Sequence, residues 1–131
     1  MGVSNVASPV DIAISGLRIE AMRMKVIAEN IANARTSRTQ TGEPYRRKQV
    51  VMDTRDGMDV GKIVEDMASQ FKSVHLPGHP DAGSDGMVRM PNVDLPVELM
   101  DMVVASRAYQ ANAAMLKRYQ DMVNASLELL R

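Results

Sequence analysis

The sequence predicts an α+β chain in which long N- and C-terminal helices pair as a coiled-coil-like layer around a small β-rich middle segment. Three observations predict it: apolar residues at a 4,3,4,3 spacing at both ends, Pro and Gly crowded between positions 35 and 91, and few aromatics beside 12 Met. Heptad-spaced apolar residues form the seam of a helix pair, and Met fills such seams adaptably. The expected organisation is a helical segment over 1–34, a turn-rich β segment over 35–91 and a long helix over 92–131.

The first helix starts at "SPVD", residues 8 to 11. Ser8 is a good N-cap, Pro9 suits the first helical position, and Asp11 three residues later completes a capping box. From there Val10, Ile14, Leu17, Ala21, Met24, Ala28 and Ile31 make the seam, and the helix is expected to end near Ala34. No Gly stops it. Instead it runs into "ENIANARTSRTQTGEPYRRKQVV", rich in Asn, Thr and Arg.

The middle segment is broken by Pro44, Gly57, Gly61, Pro77, Gly78, Pro80, Gly83, Gly86 and Pro91. Short strands fit "YRRKQVVMD", "MDVGKIVED", "FKSVHL" and "MVRM", with alternation clearest at Met58, Val60, Lys62 and Val64.

The C-terminal helix is expected to start at Asp94 as cap, with Pro96 tolerated in the first turn. Its seam is Leu95, Leu99, Met102, Ser106, Tyr109, Ala113, Leu116, Gln120, Val123, Leu127 and Leu130. A helix of that span is about 50 Å long, out of proportion to a compact chain of this size. Both helices are also apolar away from these seams: Ile12, Ile19 and Val26 on the first, Met100, Val104, Met115, Met122 and Leu129 on the second. A helix apolar on more than one side is buried on more than one side. With no third helix in the pattern, the expected cover is other copies or other subunits.

Charge and chemistry exclude several classes. Lys plus Arg equals Asp plus Glu at 16 each, so no net field draws the chain to nucleic acid, and "YRRKQ" lacks the interleaved aromatics that stack bases. It reads as a solvated or ion-pairing strand face. Zero Cys removes disulfides and thiol chemistry. No window is apolar enough for a membrane span, no cleaved signal is expected, and Val6 spoils the "MGVSNV" match to a myristoylation site. His75, His79, Asp81 and Asp85 could in principle ligate a metal, but Pro77, Gly78 and Pro80 forbid the helix on which such a His pair shares a face. An EF-hand reading of Asp81, Asp85 and Gly86 fails at Gly83 and Asn92. The stretch reads as a turn-rich connector. No catalytic residue, metal ligand or cofactor is expected, and enzyme is the weaker class.

The residues also resemble a family. "GLRIEAMRMKVIAENIANARTSRTQTGEPYRRK", "LPGHPDA" and "MPNVDLPVELMDMVVASRAYQANAAM" are similar, in order, to segments of the bacterial flagellar rod and hook axial proteins. Asn30, Ala32 and Asn33 match the Asn-x-Ala-Asn signature; Gly42, Pro44, Tyr45, Arg46 and Arg47 match the Gly-x-Pro-Tyr-Arg-Arg that follows it. His79, Pro80, Asp81 and Ala82 match the His-Pro-Asp-Ala turn, and Ser106, Arg107, Ala108, Tyr109, Ala111 and Asn112 the Ser-Arg-Ala-Tyr-x-Ala-Asn run. Arg35 and Arg38 stand where smaller or Asn-like residues are usual.

The resemblance implies a structural subunit of the proximal rod in the periplasm, exported by the flagellar type III apparatus without cleavage and assembled into a helical tube around the export channel. It implies partners among other rod subunits and adjacent basal-body components. The expected contact residues are Val10, Ile14, Leu17, Ala21, Met24, Asn30, Ile31 and Asn33 on the first helix, Tyr45 beyond it, and Leu99, Met102, Tyr109, Leu116, Val123, Leu127 and Leu130 on the last. The Asn/Thr/Arg stretch would turn the chain outward from the helical layer. A second reading of the heptads is a soluble adaptor that forms one finite dimer or heterodimer.

Overall fold

The computed structural model describes residues 6–55 and 58–131. Helix α1 (Pro9–Ala32) is followed by strands β1 (Lys48–Arg55), β2 (Met58–Glu65), β3 (Lys72–His75) and β4 (Met87–Met90), and helix α2 (Leu95–Leu129) closes the chain. The architecture is α+β: two long helices packed together, with two separate antiparallel hairpins, β1–β2 and β3–β4, between them in sequence.

The start of α1 is the capping box the sequence announces. The Asp11 amide donates to Ser8 Oγ at 3.1 Å, and the Ser8 amide donates to Asp11 Oδ2 at 3.1 Å. The Ser8 hydroxyl on Asp11 holds its carboxyl below the usual carboxylate range. At the other end Asn33 replaces the missing Gly. Its backbone N–H and its side-chain Nδ2 both donate to the Glu29 carbonyl, satisfying one of the last-turn acceptors that an unfinished helix leaves orphaned. Thr36 Oγ1 then donates to Asn33 Oδ1 at 3.2 Å, and Thr39 and Gly42 close a tight loop in which Gly42 adopts φ 84°.

Asp94 holds the N-cap position of α2 but makes no side-chain cap bond, contrary to expectation. Of the two N–H groups an N-cap oxygen can accept, Pro96 in the second helical place lacks one, and the Val97 amide in the third is not used. Backbone still closes the turn, with the Glu98 amide donating to the Asp94 carbonyl at 3.0 Å.

The helices run antiparallel: Asn30 lies opposite Glu98 and Gly16 opposite Asn112, equal steps along each. With 24 residues α1 is about 36 Å long and with 35 residues α2 is about 52 Å. So α2 overhangs the start of α1, and every residue from Gln120 to Arg131 is exposed.

A lone two-stranded hairpin is marginal in water and needs a surface to lie on. β1–β2 lies on α1, where Ser15 Oγ donates to the Asp59 carbonyl at 2.7 Å and an added Cβ at Gly61 would sit 2.9 Å from Met22 Sδ. This moves the seam. Ile19 and Val26, expected on the outward side of α1, are among its most buried residues because the hairpin and α2 share them. On α2 the buried residues are Glu98 and Ala105, one heptad apart, rather than the expected Leu99 and Ser106.

β3–β4 packs on loops instead of helices. Val88 is fully buried, and the guanidinium groups of Arg46 and Arg89 lie over the Phe71 ring, 4.4 and 5.0 Å from its centre.

Candidate assembly interface

Where α1, β1 and α2 meet, the packing is polar. Asn30, without solvent exposure, uses its whole side chain there: Nδ2 donates to the Lys48 carbonyl at 2.8 Å and to Glu98 Oε2 at 3.1 Å, while Oδ1 accepts from the Lys48 amide and the Tyr45 hydroxyl. Glu98, equally buried, takes Arg47 Nε on its other oxygen, and Arg47 also reaches Asp101 at 3.7 Å. The Arg47 amide donates to Asn92 Oδ1 at 2.7 Å, and Asn92 Nδ2 donates to the carbonyls of Asp66 and Ser69. One amide, one carboxylate and one guanidinium thus tie both helices to the first strand. Burial, then the carboxylates of Glu29, Glu98 and Glu65, push the Tyr45 hydroxyl up to about 12.

Asn30 and Tyr45, expected at a contact between subunits, are therefore spent inside their own chain. Arg47 and Lys48 of the "YRRKQ" patch pair with Glu98 and Glu29 of the same chain. Arg38, unusual for the motif, faces Asp81 of the "HPDA" turn at 3.5 Å, and Ser37 Oγ donates to the same carboxylate at 2.6 Å. Within that turn the Asp81 amide donates to His79 Nδ1 at 3.0 Å. Among the described residues no three His, Asp or Glu side chains are grouped to hold a metal ion.

Glu98 was not legible as a buried partner. A lone Glu in the first turn reads as a complement to the helix dipole. The usable signal is its stripe: Glu98, Ala105, Asn112 and Tyr119 recur every seven residues as a row that is mostly small or polar.

The remaining expected contact residues divide by helix. On α1, Val10, Ile14, Leu17, Met24, Ile31 and Asn33 are half-buried and Ala21 is exposed. On α2, Met102 and Leu116 are half-buried, whereas Leu99, Tyr109, Val123, Leu127 and Leu130 are exposed, Leu127 at 58% and Leu130 at 83%. Met100, Val103, Val104, Met115 and Leu129 extend the apolar exposure. The buried residues of α2 are small or polar, and most of its large apolar ones stay exposed. No described helix is long and apolar enough to cross a membrane.

Residues 84–129, covering β4 and α2, match the family model described as flagellar basal body rod FlgEFG protein C-terminal. The chain is 39% identical over 127 residues to the flagellar basal-body rod protein FlgC of Agrobacterium fabrum, covering 92% of this chain and 91% of that one. It is 39% identical to FlgC of Salmonella typhimurium over 91% of this chain and 93% of that one. To FlgC of Bacillus subtilis it is 33% identical over 91% of this chain and 94% of that one. With its length matched almost end to end by these relatives, the chain belongs to the FlgC family of flagellar basal-body rod proteins.

Proposed function

We propose that the chain is a structural subunit of the flagellar proximal rod that assembles with other rod subunits through its terminal helices into a helical tube. One observation carries the reading: α2 spends Glu98, Ala105 and Asn112 on its own chain and leaves Leu99, Val104, Leu127 and Leu130 exposed. Exposed apolar surface on this scale marks a surface that another protein covers. Residues 1–34 and 92–131 form the inner layer of the tube around the export channel, and residues 35–91 lie outside it; positions 1–5, 56 and 57 of this division fall outside the described residues. The subunit reaches the periplasm through the flagellar type III apparatus without a cleaved leader. The overhanging end of α2 orders on joining the rod, coupling folding to binding. Many repeated helix contacts then carry torque.

The test is the double variant Leu127→Asp and Leu130→Asp in cells lacking the native copy. Synthesis should persist while the chain disappears from purified basal bodies and motility is lost. Normal swimming would sink the reading.

A further inference from the structure

The His-Pro-Asp-Ala turn holds a ring nitrogen at which one proton reverses a hydrogen bond. Pro80 has no N–H, so the Asp81 amide is the first backbone donor after His79, and it donates to His79 Nδ1 at 3.0 Å. A ring nitrogen that accepts carries no proton, so the imidazole in this arrangement is neutral with its hydrogen on Nε2. The Asp81 carboxylate is meanwhile held by the segment that leaves α1. Ser37 Oγ donates to Oδ2 at 2.6 Å, and Arg38 Nε lies 3.5 Å from Oδ1. His79 Nδ1 stands 4.0 Å from Oδ2, beyond hydrogen-bond reach.

A proton on Nδ1 sets a donor against the donating Asp81 amide, and that bond cannot persist. Among the described residues Asp81 is the one acid within 4.0 Å of the His79 ring nitrogens, with Arg38 as the cation on its far oxygen. The other titratable groups of the connector are engaged elsewhere: His75 lies against Gly86, and Asp85 Oδ1 accepts from the Met87 amide. The Asp81 carboxylate is therefore the acceptor that the imidazolium meets. Both candidate bonds to Oδ2 have an ionised acceptor, but only the imidazolium is also an ionised donor, so Coulomb attraction favours it over the Ser37 hydroxyl. The two side chains are 29% and 22% exposed, which leaves that attraction only partly screened.

Ser37 sits in the stretch that ties the end of α1 to β1. Its neighbour Thr36 donates its hydroxyl to Asn33 Oδ1 and accepts the Tyr45 amide on its carbonyl. We propose that the turn is a proton-operated latch on this stretch. With His79 neutral, Asp81 holds Ser37. With a proton on Nδ1, His79 gives up the Asp81 amide, takes the Asp81 carboxylate from Ser37 and loosens residues 36–45.

The test is nuclear magnetic resonance of the full chain, labelled with nitrogen-15, from about pH 8 to about pH 5, the range in which imidazoles change charge. At the alkaline end the His79 ring should show Nδ1 bare and Nε2 protonated. On acidification the Asp81 amide proton should move upfield in step with the ring signals as its bond is lost. Hydrogen-exchange protection over residues 36–45, corrected for the intrinsic effect of pH, should fall about threefold or more with the same midpoint. His79→Gln keeps an acceptor for the Asp81 amide but takes no proton, and should abolish that fall. Ser37→Ala removes the competing hydroxyl and should move the ring transition to higher pH. A protonated Nδ1 at the alkaline end, an Asp81 amide that does not follow the ring, or a fall in protection that survives His79→Gln would overturn the latch. An unmoved transition in Ser37→Ala would do the same, and that variant leaves the turn itself unaltered. These readouts need no assembly, so they stand or fall separately from the rod reading.

Discussion

Asn30 and Glu98, 68 residues apart in sequence, meet at 3.1 Å with neither side chain exposed to solvent. The contact fixes where along α2 the end of α1 sits. Because Asn30 also grips both backbone groups of Lys48, the register of the first strand is set by the same side chain. Apolar seams tolerate sliding by a turn; a buried amide and carboxylate do not, since a slip leaves both without partners.

Removing one charge from this junction should cost more than removing both. Arg47→Met strands the Glu98 carboxylate and should destabilise the chain by about 3–5 kcal/mol, while Arg47→Met with Glu98→Leu should recover most of that loss. Urea unfolding of the four-member cycle measures it. Additive losses would mean that Arg47 and Glu98 act independently.

Alkaline pH should weaken the same junction. The Tyr45 hydroxyl is held near 12 in the folded chain against an ordinary value of 10.0, so its neutral form is the one folding favours. Its contribution to stability is fully present below pH 10 and is lost as pH rises through 12. Ultraviolet titration should find one tyrosine ionising late, and Tyr45→Phe should remove that step. A step removed by Tyr45→Phe that lies near pH 10 would contradict the geometry.

Gly16 tests the closeness of the helices. An added Cβ would lie 2.7 Å from Asn112 Nδ2, the movable end of a side chain. Ala there gains about 0.5–1 kcal/mol of helix propensity and spends part of it shifting the amide, so Gly16→Ala should be near neutral. With Asn112→Ala alongside, the full gain should appear, whereas Gly16→Leu should cost about 1–3 kcal/mol through overpacking. Thermal melts of the three variants distinguish the order, and a neutral Gly16→Leu would mean the helices are not in contact at this level.

The elements were legible in the sequence because each has a local cause. Ser8, Pro9 and Asp11 announce a helix start by their own hydrogen bonds, and the four strands follow from alternation bounded by Pro and Gly. The faces were not. An apolar stripe states that something covers it, not which surface does, and Ile19 and Val26 are covered by a hairpin and α2 of the same chain while Leu127 and Leu130 are not covered by it. Asn30 reads locally as a turn residue, and only the pairing of distant segments makes it the centre of a junction. The role of Glu98 has the same origin, since its partners lie 51 and 68 residues away.

On the proposed reading the far end of α2 is covered by another subunit, while the junction near Asn30 is complete within the chain. Hydrogen exchange by mass spectrometry on the dilute isolated chain tests it most directly. Rapid exchange is expected over residues 120–131, slower exchange around Asn30, Lys48 and Ala105, and protection of the α2 end once the chain is in the rod. Strong protection of both helix ends in a monomer would contradict it and point to an autonomous helical domain with a single partner.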